Sequence, residues 1–309
     1  MKLFDIHCDT AIRLLSHGQP LYDNDFHISV KKASFLENYA QVMAVFSQGH
    51  LSDCEAYERF FAVVENLKKE ELECSGKVKI IKSAGEIPSL WARGVIPLLL
   101  AVEDARLLEG DISRLDALYE SGVRLLTLNW SGTTCIGGAH DTHESLTDFG
   151  VRVVRRCFEL GIVPDVSHAS FEGTDACIEI AKELGRPIVA SHSNSYSVFP
   201  HSRNLRDGNF KDIVSLGGIV GISLCRDHLA ADGASVDDVI RHIDRYLSLG
   251  GENAVCLGCD LDGTQLPRGF SDLSDLRRIQ DEMSRLGYSD ETINNITHKN
   301  ALEFAKNNF

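Results

Sequence analysis

Long hydrophobic runs are missing from this 309-residue chain. The longest, Val95 to Val102, falls far below the ~20 apolar residues that a helix needs to cross a bilayer, so no membrane partner is expected. The opening Met1-Lys2-Leu3 passes straight into a strand-like run. It has no charged stretch followed by an apolar leader, so no signal peptide is expected. Cationic charge is scarce: 31 Lys and Arg stand against 45 Asp and Glu, for a formal net charge of -14. Such an acidic chain argues against a nucleic-acid partner, and it requires that any anionic ligand be held by local cations. A paired cysteine framework is also lacking. The 9 cysteines are odd in number and scattered, which reads as reduced thiols in a cytoplasmic protein. Linkers, low-complexity tracts and internal repeats are absent, so residues 1–309 are expected to form one domain.

Several catalytic signatures are absent too. No Gly-x-Ser-x-Gly occurs, and His143-Glu144 is not followed by the second His of a helical zinc motif. Gly217-Gly218-Ile219-Val220-Gly221 lacks dinucleotide-binding spacing and reads as the start of a strand. Asp260-x-Asp262-Gly263 is no calcium loop, because Gln265 and Ser271 stand where an EF-hand needs Gly and Glu; Asp262 reads as a turn residue or an acceptor behind the site. Cys256 and Cys259 lie within a strand-like run and read as buried thiols.

What the chain does contain is a regular alternation of short apolar runs and longer amphipathic stretches. Strands are expected at 3–8, 40–46, 95–102, 123–129, 162–167, 187–191, 217–224 and 254–260, with an extra strand at Val78–Lys82 inserted between the second and third. Helical patterns cover 52–73, 111–121, 147–160, 170–184, 235–249, 272–286 and a terminal 290–307. Asp53, Ser170, Ser235 and Ser289 suit helix starts, while Gly161, Gly185 and Gly250 follow helix ends. Eight strands alternating with helices predict an α/β fold, a (β/α)8 TIM barrel of the metal-dependent hydrolase type with a C-terminal helical extension; a doubly wound open sheet is the alternative.

Ligand-type residues fall at the ends of these strands, where such a barrel carries its chemistry. The first strand reads Leu-Phe-Asp-Ile-His-Cys-Asp-Thr, and strict alternation would point Asp5, His7 and Asp9 the same way. Glu103, His168, His192 and Asp260 end four later strands. Any one of them alone would pass as a loop residue; together, with His7 and Asp9, they make a shared rim. Three His and three carboxylates suit Zn2+, with Mn2+, Co2+ or Fe2+ as substitutes. Six ligands are too many for one tetrahedral ion with an open position. They fit two ions, about 3.5–4 Å apart, that share one carboxylate and a bridging hydroxide as nucleophile.

The combination His7-x-Asp9, Glu103, Asp165-Val-Ser-His168, Ser191-His192-Ser193, Arg203-Asn204 and Gly258-Cys-Asp260-Leu-Asp262-Gly263 resembles the renal (membrane) dipeptidase family of the amidohydrolase superfamily. The tail, Gly287-Tyr-Ser-Asp-Glu followed by Asn300, is similar too. The resemblance spans nearly the whole chain and implies a zinc-dependent dipeptidase that cleaves dipeptides with a free C-terminal carboxylate. It implies that His7 and Asp9 hold one zinc ion, His168 and His192 a second, and that Glu103 bridges them. Asp260 would then move the proton and Arg203 would hold the substrate carboxylate. A homodimer also fits the resemblance.

One position departs from that family. Its strand-four His, which meets the substrate carbonyl, is replaced in Leu126-Thr127-Leu128-Asn129-Trp130 by Trp130. Asn129 and Trp130 are therefore expected at the substrate, with zinc, Asn129 or His140 supplying oxyanion stabilisation. The substitution leaves open another binuclear amidohydrolase acting on N-acyl amino acids, lactams or lactones. A non-catalytic metal-binding protein is the remaining alternative; Asp260, which metal binding alone would not need, stands against it. His27 is expected to fix a loop, and His17, His50, His201, His228, His242 and His298 to lie on the surface or in loops, with His201 near Arg203.

Overall fold

A computed structural model describes residues 1–309. Its strands are β1 (Lys2–Cys8), β2 (Asn38–Phe46), β3 (Val78–Ile80), β4 (Ile96–Glu103), β5 (Val123–Thr127), β6 (Val163–Asp165), β7 (Val220–Ile222) and β8 (Val255–Leu257). All pair in parallel, in the order β6-β5-β4-β2-β1-β8-β7, with β3 added beside β4. Parallel strands need long crossovers, and the expected helices supply them: Asp53–Glu73, Arg114–Ser121, Asp148–Leu160, Phe171–Leu184 and Val236–Ser248. Ser170 and Ser289 cap their helices as expected, and Ser235 forms a capping box with Asp238. The long second-strand helix is capped by Ser52, not Asp53, through a capping box with Glu55.

The segment expected as a strand at 187–191 makes only single bridges, Val189 to Asp165 and Ala190 to Val220. Those bridges nevertheless join β6 to β7 and close the ring into the (β/α)8 barrel. The ladder is short for a physical reason. Ser191 N donates to Asp165 Oδ1 at 2.9 Å and His192 N to Ser167 Oγ at 3.0 Å, so side chains take the amides a neighbouring strand would use. Gly221 and Gly258 flank this seam. A Cβ at either would overlap the Ser191 carbonyl oxygen, so only glycine lets the chains pass.

Two apolar layers hold the barrel. Phe4, Ile6, Ala40, Val42, Leu99 and Ala101 fill its interior, and Phe304 and Ala305 of the terminal helix seal that interior from below. A larger layer packs the sheet against the surrounding helices, with Leu3, Tyr39 and Met43 on the strand side. The terminal helical pattern is real but broken by a π-helical turn, Asn295–Lys299.

The first strand corrects the expected alternation. Asp5 pairs with Gln41, but Cys8 pairs with Met43, so β1 carries one extra residue. Asp5 alternates with Phe4 and stays on the helix side. Its Oδ1 accepts from the backbone N–H of His7 at 3.3 Å and of Cys259 at 2.9 Å. The bulge thus frees His7 to turn toward the barrel mouth, with Asp5 tying down the disturbed backbone.

Candidate active site

Glu103 is the centre of the mouth. Its Oε2 lies 3.6 Å from His7 Nε2; its Oε1 lies 3.0 Å from His168 Nε2 and 3.7 Å from His192 Nε2. Asp9 Oδ2 and Asp260 Oδ1 each stand 4.0 Å from His7 Nε2. All six expected ligand-type residues therefore meet at one place, and all are buried. His7, Glu103 and His192 form one group with ligand spacing, and His7, Asp9 and Asp260 a second.

The histidines are oriented from behind. Asp165 accepts from Thr127 Oγ1 at 2.6 Å and from Ser191 Oγ at 2.5 Å. With its proton committed to Asp165, the Ser191 hydroxyl is an acceptor toward His192 Nδ1 at 2.7 Å and His7 Nδ1 at 3.4 Å. His168 Nδ1 lies 3.1 Å from the Trp130 carbonyl oxygen, which can only accept. With a metal ion bound, each ring would keep its proton on Nδ1 and turn a bare Nε2 toward Glu103. His7 Nε2, His192 Nε2 and Asp9 Oδ1 are buried and have no hydrogen-bond partner. Orphaned lone pairs around a carboxylate fit a divalent cation better than any protein group.

The electrostatics agree. Burial raises the carboxyl of Asp260 to about 6, and the Glu103 charge adds to this. Asp9 is raised well above the carboxylate range by burial and by the Glu103 and Asp260 charges. Burial alone would lower the His7 imidazole, yet Glu103, Asp260 and Asp165 outweigh it and raise it to about 9. Burial would raise Glu103, but the facing His7 and His168 hold it below its usual range. Burial and the Arg203 charge lower His168 to about 4. The cluster as a whole is short of positive charge, which bound cations would supply.

His168 and Asp260 adopt left-handed backbone angles, with φ of 69° and 59°. Such angles are rare for residues with a Cβ and aim both side chains into the mouth. Gly263 lies against Asp9 and Asp260; a Cβ there would strike both carboxylates. Asp262 sits behind the site as expected, accepting from Thr10 Oγ1 at 2.5 Å and from His27 N at 2.7 Å. His27 Nδ1 accepts from Asp262 N at 2.8 Å and so fixes its loop.

A cavity of about 510 Å3 opens above this cluster. Arg203 reaches it from the loop 201–206. It is 5% exposed, and none of its three guanidinium nitrogens finds an acceptor in the chain. Trp130 lies on the cavity wall against Phe46, with ring centroids 4.7 Å apart. Asn129 does not reach the cavity. Its amide nitrogen donates to Gly137 O at 3.0 Å and Thr134 Oγ1 at 3.2 Å, pinning the following loop. His140 and His228 do line the cavity, although neither lies on a strand. His201 lies beside Arg203, its Nδ1 accepting from Arg203 N at 3.2 Å. His242 and His298 are buried rather than superficial; His242 accepts from Ser195 N at 3.0 Å.

A barrel with a ligand cluster at the carboxyl ends of its strands is the build of a metal-dependent hydrolase. The comparisons narrow that class. The chain belongs to the membrane dipeptidase family, peptidase family M19, which it matches over residues 1–307. The dipeptidase AC, a metallo peptidase of that family, superposes with a TM-score of 0.93 at 26% identity, over 100% of this chain and 98% of the other. A metallo peptidase from Rhodobacter sphaeroides, liganded with a phosphinate mimic of the dipeptide L-Ala-D-Ala, gives 0.91 at 25% identity, over 100% and 99%. An uncharacterized Klebsiella pneumoniae protein from the pqqA 5' region is 30% identical over 254 residues, 78% of this chain and 93% of that protein. No helix of this chain is long and apolar enough to cross a membrane.

Proposed function

We propose that the chain is a zinc-dependent dipeptidase acting on dipeptides with a free C-terminal carboxylate. One observation carries the reading: Glu103 turns one oxygen to His7 and the other to His168 and His192, with bare Nε2 atoms on both sides. That donor set fits two cations sharing a carboxylate, with His7 and Asp9 on one side and His168 and His192 on the other. When bound, the metal ions acidify a water molecule and polarise the scissile carbonyl.

The remaining work falls to the chain's own groups. Asp260, raised to about 6, takes the proton of the attacking water on Oδ1 and hands it to the leaving amine. Arg203 matches a terminal carboxylate, since a planar guanidinium offers two parallel N–H donors and this one has no competing acceptor. Trp130 and Phe46 form an apolar wall that limits the entry of water. All nine cysteines are unpaired, which supports a reducing, cytoplasmic setting.

The test is metal content and dipeptide hydrolysis on one sample, before chelation, after it and after zinc restoration. About two zinc ions per chain and hydrolysis that returns with zinc are expected. One ion or none at full activity would contradict the shared-carboxylate centre. Two ions without turnover of any dipeptide would contradict the substrate.

A further inference from the structure

A dipeptidase site must also hold the oxygen on which negative charge develops, and the cavity offers few protein donors for it. Asn129 is committed to Gly137 and Thr134. Trp130 is turned against Phe46. Arg203, buried and without an acceptor in the chain, is assigned to the substrate carboxylate. Of the groups that remain on the cavity wall, His140 stands on a loop built with unusual firmness.

The segment Gly137–His140 is laced to the turn that follows β6. Ala139 bridges Ala169, and His140 N donates to the His168 carbonyl at 2.7 Å. Ala139 N donates to Gly132 O at 2.8 Å, and Gly138 is packed so closely that a Cβ would strike Thr142 and Glu144. The loop therefore holds the His140 ring at a fixed place, edge-on to the His168 ring with centroids 5.9 Å apart. His140 Nδ1 lies 3.0 Å from Ser202 Oγ, and that hydroxyl has no other partner. Its Nε2 has no partner in the chain, while the ring lines the cavity. Ser202 directly precedes Arg203, so the segment that fixes this imidazole also carries the carboxylate clamp.

We propose that His140, with Nδ1 accepting from Ser202 and Nε2–H facing the cavity, donates a hydrogen bond to the scissile carbonyl oxygen and tightens it as charge develops there. The proposal rests on the dipeptidase reading. It assigns to a loop histidine a role that neither Asn129 nor Trp130 is placed to fill. The bond is worth most in the transition state, so its loss falls on kcat.

Three variants separate the two ring nitrogens. Glutamine places an amide N–H near the position of Nε2, asparagine near that of Nδ1, and alanine offers neither. In the zinc-loaded enzyme, His140→Ala is expected to lower kcat by about 10²-fold while changing KM by less than about threefold. Binding of a phosphinate mimic of a dipeptide, a tetrahedral anion, should weaken by a comparable factor. His140→Gln should restore most of both losses and His140→Asn little, at unchanged zinc content. Rescue by Asn equal to that by Gln would reduce His140 to a support for Ser202 and overturn the proposal. So would a kcat within about threefold of wild type in His140→Ala. Phosphinate binding is read by titration calorimetry and needs no turnover. A wild type that hydrolyses no dipeptide, but binds the phosphinate in a His140-dependent way, would sink the dipeptide assignment and sustain the donor. Phosphinate affinity indifferent to His140 would sink the donor whatever the turnover.

Discussion

Replacing Arg203 by Met should push stability and catalysis in opposite directions. The guanidinium is 5% exposed, and its three nitrogens lack an acceptor in the chain. Burial lowers its proton affinity, and the Asp260 and Glu103 charges only partly offset this. With metal bound, the Glu103 charge would be taken up by the ion it holds, leaving Arg203 a buried charge with no hydrogen-bond acceptor in the chain. An unsatisfied buried donor costs about 1–3 kcal/mol, and more when charged. Met preserves much of the volume without the charge, so Arg203→Met should stabilise the substrate-free enzyme by about 1–3 kcal/mol, a Tm rise of roughly 3 °C or more. The same change removes two charge-assisted hydrogen bonds to a substrate carboxylate, together worth about 3 kcal/mol or more. KM for a free dipeptide should then rise roughly a hundredfold. A C-terminally amidated analogue, which offers no carboxylate, should be processed alike by both enzymes. The assays are urea or thermal unfolding of the zinc-loaded proteins and steady-state kinetics on the substrate pair. Two results would refute the reasoning: an equal loss on the amidated analogue, or a variant less stable than wild type.

Three further expectations follow from the same geometry. Glu103→Gln should empty both metal positions, because one carboxylate serves His7 on one side and His168 and His192 on the other; metal analysis showing one ion fully retained would remove the bridge. Asp165→Asn should weaken zinc binding about 10–100-fold without touching a ligand, since it disturbs the Ser191 hydroxyl that orients His192 and His7; competition with a chelator reads this directly. In the metal-free protein, stability should fall as pH rises from 6.5 to about 9. The His7 imidazole is raised in the fold, so its contribution is complete below pH 6.5 and lost above about 9; the urea midpoint should lose this slope in His7→Gln and after zinc loading.

The residues explain why some of this was legible and some was not. Glu103 and Asp260 follow near-continuous apolar runs, and a buried parallel strand must look like that, so the rim positions could be placed from the sequence. The strand at 187–191 was legible as an apolar run, but the early ending of its ladder was not, because Asp165 and Ser167 take the amides of Ser191 and His192. Alternation misplaced Asp5, since a single-residue bulge in β1 leaves no mark in the pattern. The helix Thr10–His17 was hidden because it starts directly after Asp9, without a side-chain cap. Asn129 was expected at the substrate from its place after β5, yet its amide faces the loop it pins. His228 reached the cavity through a short helix, Arg226–Leu229, for which the sequence offers no periodic signal. His242 betrayed nothing of its burial, because a histidine facing a core looks the same in sequence as one facing water.

The seam between the first and last strands has a consequence for how the protein is made. Asp260 N donates to His7 O at 3.2 Å, Asp9 N to Leu261 O at 2.9 Å, and Cys259 N to Asp5 Oδ1 at 2.9 Å. The first and last barrel strands thus share one short zipper, and the ligand cluster straddles it. A nascent chain emerging from the ribosome holds His7 and Asp9 long before Asp260 exists, so the centre cannot assemble until β8 and the residues after it have been made. Metal capture would then act as a clasp on the closed ring. At a free-ion concentration 100 times the dissociation constant, each ion would add about 2.7 kcal/mol to the closed form. Metal supply would then set the lifetime of the folded protein as well as its activity, and starvation for the ion would be felt first as opening of this seam.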